Sequence, residues 1–255
     1  QLLSIVEVRI TNEVIRKVLN ANKYLELSIL YFFDQFTDAY LMILPGSRFM
    51  LNKALSRNRE GFLFMKLGEL LNTPNMDHTL ILTSIINKIV MNLTHWTADE
   101  AVLEKSTQLL YRLSSEYGTA SLICNLPAIL TLLRSHGYQS FPFLKLTQFA
   151  TLHITFYHTL SRLAFKSIHL KQFDQFMLPI EQTLQELSSI SNLRQDGIDK
   201  IGANVCRYLT GVLQGAHGSK AYVIFFNWIY PRYLPIILRL LETWWDETHI
   251  TTSIL

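Results

Sequence analysis

Apolar residues return along this chain at intervals of three and four, in block after block. Over residues 80–93 they stand at Leu82, Ile85, Ile86, Ile89, Val90 and Leu93. The next block carries Val102, Leu103, Leu109, Leu110, Leu113 and Tyr117. Phe149, Leu152, Phe156, Leu160 and Leu163 make another, followed by Phe173, Phe176, Met177, Ile180, Leu184 and Leu187. Leu234, Ile237, Leu238, Leu241 and Trp245 close the series. That spacing places the apolar side chains on one face of an α-helix, with a polar face opposite. The pattern predicts about a dozen helices, mostly of about 10 to 20 residues. No turn dipeptide flanked by alternating residues announces a hairpin.

The punctuation fits this reading. Thr97-Ala98-Asp99-Glu100 has the form of a capping box, with Thr97 accepting from the amide of Glu100. Gly118 and Gly137 stand where left-handed residues end helices. Pro231 stands at a first-turn position, after a helix ending near Tyr230, and Pro45 and Pro74 mark turns. The helices pair as 76–93 with 99–117, 173–191 with 195–213, and 219–229 with 231–245. The pitch is roughly 40 residues or a little more, the range of HEAT-type repeats. The expected fold is therefore all-α: an α-solenoid of HEAT-like antiparallel helix pairs, an armadillo-type superhelix. Residues 1–255 are expected to be one continuous helical-repeat segment, truncated at both ends of a longer protein. A globular bundle competes, but successive amphipathic hairpins need only neighbour contacts to bury their stripes.

Composition narrows the classes. Apolar residues are 49% of the 255 and the net charge is +3, which permits a large core and argues against disorder. Residues 1–125 carry 12 basic and 12 acidic side chains, and residues 126–255 carry 11 and 8. Neither half has the basic excess of a nucleic-acid binder, so no direct nucleic-acid contact is expected. Arg48, Lys53, Arg57 and Arg59 form the densest basic run, and read as a solvated loop or helix end. The longest uncharged stretches, 118–133 and 146–161, fall short of the roughly 20 apolar residues of a membrane helix, so no membrane contact is expected. Cys124 and Cys206 are too few for a disulfide framework and suit a reducing compartment. The sequon Asn92-Leu93-Thr94 falls within a predicted helix.

Candidate chemistry is sparse. No glycine-rich phosphate loop and no nucleophile elbow occurs. His153 and His158 are five apart, about 140° around a helix, and cannot ligate a metal together as an i, i+4 pair does. Asp196 and Asp199 suit a helix N-terminus, where the dipole favours them. Both cysteines read as small buried hydrophobes in helices. Two aromatic clusters stand out: Tyr31, Phe32, Phe33 and Phe36, and Phe225, Phe226, Trp228, Tyr230 and Tyr233 with Trp244 and Trp245. They read as inter-helix core, or alternatively as a groove for a partner helix or peptide. Trp244 and Trp245 lie about 100° apart on a helix, so both cannot face one core. No catalytic, cofactor or metal residue is assigned, partner-binding residues stay open, and no enzyme activity is expected.

Several segments resemble one family. FFNWIYPRYLPIILRLLETWW (225–245) resembles a helical corner of the exportin-7 and Ran-binding protein 17 family, karyopherin-β nuclear export receptors. LELSILYFFDQF (25–36), INKIVMNLTHW (86–96), KSTQLLYRLSSEYG (105–118), TFYHTLSRL (155–163) and FDQFMLPIEQTLQEL (173–187) resemble it in order, and RYLTGV (207–212) more weakly. The resemblance implies an internal fragment of a receptor that carries protein cargo through the nuclear pore in a Ran-GTP-dependent manner. Its partners would be the Ran GTPase in its GTP form, bound mainly through repeats absent from this chain, protein cargo, and nuclear pore proteins. It would shuttle between nucleus and cytoplasm, with no cofactor. The alternatives are an import receptor of the same architecture and a HEAT-type scaffold of a signalling complex. One departure is Lys166, His169 and Lys171, which make basic a linker that is acidic in the family.

Overall fold

In the computed structural model, the described residues are 22–43, 78–115, 117–166 and 170–254. The helices among them are α1 (Lys23–Ile43), α2 (His78–His95), α3 (Glu100–Ser115), α4 (Tyr117–Ile123), α5 (Pro127–Arg134), α6 (Ala150–Lys166), α7 (Leu170–Ser189), α8 (Ile198–Gly215), α9 (Ser219–Ile229), α10 (Leu234–Thr243) and α11 (Thr248–Ile254). Two 3-10 turns, Pro142–Lys145 and Thr147–Phe149, join α5 to α6. No strand occurs among the described residues.

These helices stack in two rows. One row runs α1, α3, α6, α8, α11, each packed on the next, and its broadest contact is α6 on α8. The other runs α2, α5, α7, α10, with α4 beside α2 and α3. From α2 onward the chain passes back and forth between the rows, with α4 and α9 as additional helices on the way, the arrangement of an α-solenoid in which each unit needs only its neighbours. From α3 on, the first-row helices begin at Glu100, Ala150, Ile198 and Thr248, spacings of 50, 48 and 50 residues. This pitch is longer than expected, because each connection through the second row holds either two short helices, once with 3-10 turns, or the single long helix α7.

The apolar stripes of α2, α3, α6 and α7 are buried largely as their spacing predicts, with Val90 only half-buried. α10 differs. Its buried positions are Tyr233, Ile236, Leu240 and Trp244, whereas Leu238 and Trp245 face outward, Trp245 at 72% exposure. Leu234, Ile237 and Leu241 are half-buried. The helix is apolar nearly all round, so spacing alone could not choose the face. The divergence of Trp244 and Trp245 holds: Trp244 is buried.

Several caps are corrected. Asp99, not Thr97, caps α3, accepting from the Val102 amide at 3.2 Å. Asp99 also pairs with Lys23 of α1 at 2.9 Å. Gly118 lies inside α4 instead of ending α3. α5 stops at Arg134 without a left-handed glycine, as the Ser135 amide donates to Thr131 O, and Gly137 is not among the positive-φ glycines, which among the described residues are Gly197 and Gly218. Pro231 lies in the turn between α9 and α10, after a cis peptide bond, while Pro235 takes the first-turn position of α10. Cys124 lies just beyond α4, and Cys206 within α8. Both thiols are free and buried. Asp196 precedes α8 and only Asp199 sits in its first turn. Pro45, Pro74, the basic run 48–59 and His169 lie outside the described residues.

Arginines tie successive helices within each row. Arg239 donates to the carbonyls of Ile190 and Ser191, at 2.6 and 2.8 Å, just beyond the end of α7. Arg194 donates to the Thr243 carbonyl at the end of α10, and to Asp246. Orphan carbonyls at helix ends are thereby covered by side chains from the opposite element. Arg112 pairs with Asp34 across α3 and α1. Lys88 and Glu26 form an ion pair buried between α2 and α1.

Candidate functional site

The segment from Phe141 to Phe149 is irregular yet partly buried, so its carbonyls need partners other than a helix ladder. Side chains of α6 and α8 supply them. His153 Nε2 donates to Phe143 O at 3.2 Å. Asn204 Nδ2 and the Tyr208 hydroxyl both donate to Leu144 O, at 3.1 and 2.8 Å. Arg207 donates to Thr147 O at 3.4 Å and to Asn204 Oδ1 at 3.0 Å. A histidine, an asparagine, a tyrosine and an arginine are thus fixed around a short stretch of backbone. Burial lowers the His153 pKa to about 4 and raises that of the Tyr208 hydroxyl above its ordinary value, keeping both neutral.

The fixed segment forms one wall of an open cleft of about 420 Å³. Tyr138, Leu144 and Lys145 line it on this side. Thr183 and Glu186 come from α7, and Gly197, Lys200, Ile201, Asn204 and Tyr208 from α8 and its start. The Lys145 ammonium lies 4.9 Å from the centre of the Tyr138 ring. Among the described residues neither Lys145 nor Lys200 has a carboxylate partner. Such an arrangement can take an apolar group against Leu144, Ile201 and the two rings, and an anionic one at the rim.

The sequence did not point to this cleft. Its residues come from three elements between Tyr138 and Tyr208 and obey no common period. The histidines singled out there diverge as expected: His153 packs on Phe143 and Tyr208, and His158 on Tyr111 and His217. Among the described residues, no group of three or more His, Cys, Asp and Glu could hold a metal ion, and no helix is long and apolar enough to cross a membrane. The first aromatic cluster divides, with Phe33 buried and Tyr31 exposed. The second divides as well: Phe225 and Tyr233 are buried, while Phe226 and Tyr230 stack with each other in the open, their rings 5.5 Å apart. The core reading holds for the buried members of each cluster.

A family model described as Exportin-7-like, TPR domain, matches residues 1–151. Exportin-7 of Dictyostelium discoideum is 26% identical over 91% of this chain and 22% of its own length. Ran-binding protein 17 of Mus musculus is 28% identical over 100% of the chain and 22% of its own length. Exportin-7-B of Xenopus laevis is 29% identical over 92% and 21%. The chain spans about a fifth of the length of these relatives. No solved structure gives a significant match.

Proposed function

This chain belongs to the exportin-7-like family, and from that premise we propose that it is a scaffold segment of a nuclear export receptor. The receptor carries protein cargo out of the nucleus through the nuclear pore and depends on Ran in its GTP form. It moves between nucleus and cytoplasm and meets nuclear pore proteins on the way. The segment itself contributes a helical scaffold, not catalysis, and the principal Ran contacts lie in repeats outside it. The observation that carries this reading is the family match over residues 1–151, continued by similarity along almost the whole chain. The two-row solenoid supports it physically. A stack held by neighbour contacts offers a long surface to a partner, and partner and cargo binding can be coupled through its curvature.

Titration of GTP-loaded and GDP-loaded Ran against the full-length receptor and against this chain tests the reading. The receptor is expected to prefer the GTP form. The chain alone is expected to bind it at least about tenfold more weakly, a difference of about 1.4 kcal/mol or more. A receptor indifferent to the nucleotide would leave an unrelated helical scaffold as the better account.

A further inference from the structure

We propose that the cleft between α7, α8 and the 138–145 segment is a docking site for an extended, acidic–aliphatic segment of a protein partner. Two features select that chemistry. The first is the wall. Tyr138 and Ile201 are large, apolar and 42% and 43% exposed, and they flank Leu144 and the buried Tyr208 ring. The volume of about 420 Å³ suits a few side chains, not a folded element. The second is charge. Lys145 and Lys200 both line the cleft without a carboxylate partner among the described residues, against one acid in the lining, Glu186. An incoming carboxylate at the rim therefore gains two ammonium groups without displacing an existing ion pair.

The hydrogen bonds argue against a small, fully enclosed anion. Asn204 Nδ2 and the Tyr208 hydroxyl are committed to Leu144 O. Arg207 is committed to Thr147 O and Asn204 Oδ1, and the Thr183 hydroxyl donates to Pro179 O. A phosphate pushed into the cleft would lose water without enough new donors, and that desolvation is costly. A peptide instead leaves its carboxylate half in water at the lysines and buries its aliphatic neighbour on Ile201 and Tyr138. Gly197 keeps the far end open, since nothing lies within 4 Å of where a Cβ would stand. Because the same bonds fix the floor, the site needs little rearrangement to bind.

The proposal does not depend on the transport reading, and its failure would leave the Ran titration unaffected. The probe is a fluorescein-labelled octapeptide of alternating leucine and glutamate, titrated against the whole chain by fluorescence anisotropy. Saturable one-to-one binding is expected. Binding should fall at least tenfold in the double variant Lys145→Glu with Lys200→Glu, and also in Ile201→Asp. It should fall equally when glutamine replaces glutamate in the peptide. All three substituted side chains are exposed, and circular dichroism verifies that the variants fold. Absence of saturable binding overturns the proposal. So does equal affinity of the double variant or of the glutamine peptide. Displacement of the peptide by inorganic phosphate beyond that by sodium chloride of the same ionic strength would reassign the cleft to small anions, and overturns it too.

Discussion

His136 and His153 have been taken out of water by the core, and neither ring is placed to carry a charge. His136 Nε2 lies 2.6 Å from Phe176 O and donates to it, which leaves Nδ1 unprotonated, 3.2 Å from the Tyr157 hydroxyl. His153 donates through Nε2 to Phe143 O. Burial lowers both pKa values to about 4 despite those backbone acceptors. Each folded value lies below the unfolded one, so the unfolded chain binds protons that the native chain refuses. Their contribution is fully present above about pH 6.5 and is lost as pH falls toward about 4, by about 3 kcal/mol for each ring. The urea midpoint should therefore drop between pH 7 and pH 4.5, and His136→Phe should flatten the drop by about half. Equal midpoints at the two pH values would refute this. The sequence showed where these rings lie along the chain but not what they meet. A lone histidine just past an apolar helix looks the same whether or not a carbonyl forty positions away accepts from it.

Between elements, α6 and α8 approach backbone to backbone at two glycines of α8, Gly211 and Gly215. A Cβ on Gly211 would lie 2.5 Å from Ile154 O and 2.8 Å from Tyr157 Cβ. One on Gly215 would strike His158 O and come within 2.6 Å of Ser161 Cβ. Ser161 uses this closeness to donate to Val212 O at 2.7 Å. Gly211→Ala should therefore destabilise by about 3 kcal/mol, although alanine is the better helix former by about 1 kcal/mol. Thermal or urea unfolding measures it, and a neutral or stabilising result would show that the helices part easily. Element existence was legible, because every long stripe had helical period. Element faces were legible only where a polar side existed to oppose the apolar one, as in α2, α3, α6 and α7. In α10 both sides are apolar, and the reading chose the wrong one. Caps failed for a similar reason. Thr97 and Asp99 both have the chemistry of a cap, and the choice fell to Asp99, which also meets Lys23 of another helix.

At the scale of the whole molecule, solenoid stability is shared among neighbours and need not be uniform. α6 and α8 are buried along most of their length, whereas α9 buries only Ala221 and Phe225 and turns Tyr222, Val223 and Phe226 outward. Native-state hydrogen exchange should find the amides of α6 and α8 slowest and those of α9 at least tenfold faster. Equal protection would contradict the packing. The alternation of helices was legible from the sequence, but the 48- to 50-residue pitch was not, since no repeated residue pattern marks where each first-row helix begins. The cleft was not legible at all, because stacking creates it from segments that share no pattern. The glycine contact has a mechanical corollary. Side chains at an interface can change rotamer and let two helices slide or tilt, but Gly211 and Gly215 put backbone against α6 with nothing between to re-seat. α6 and α8 therefore move as one rigid beam, and any flexing of the stack falls to the joints on either side, α3 with α6 and α8 with α11.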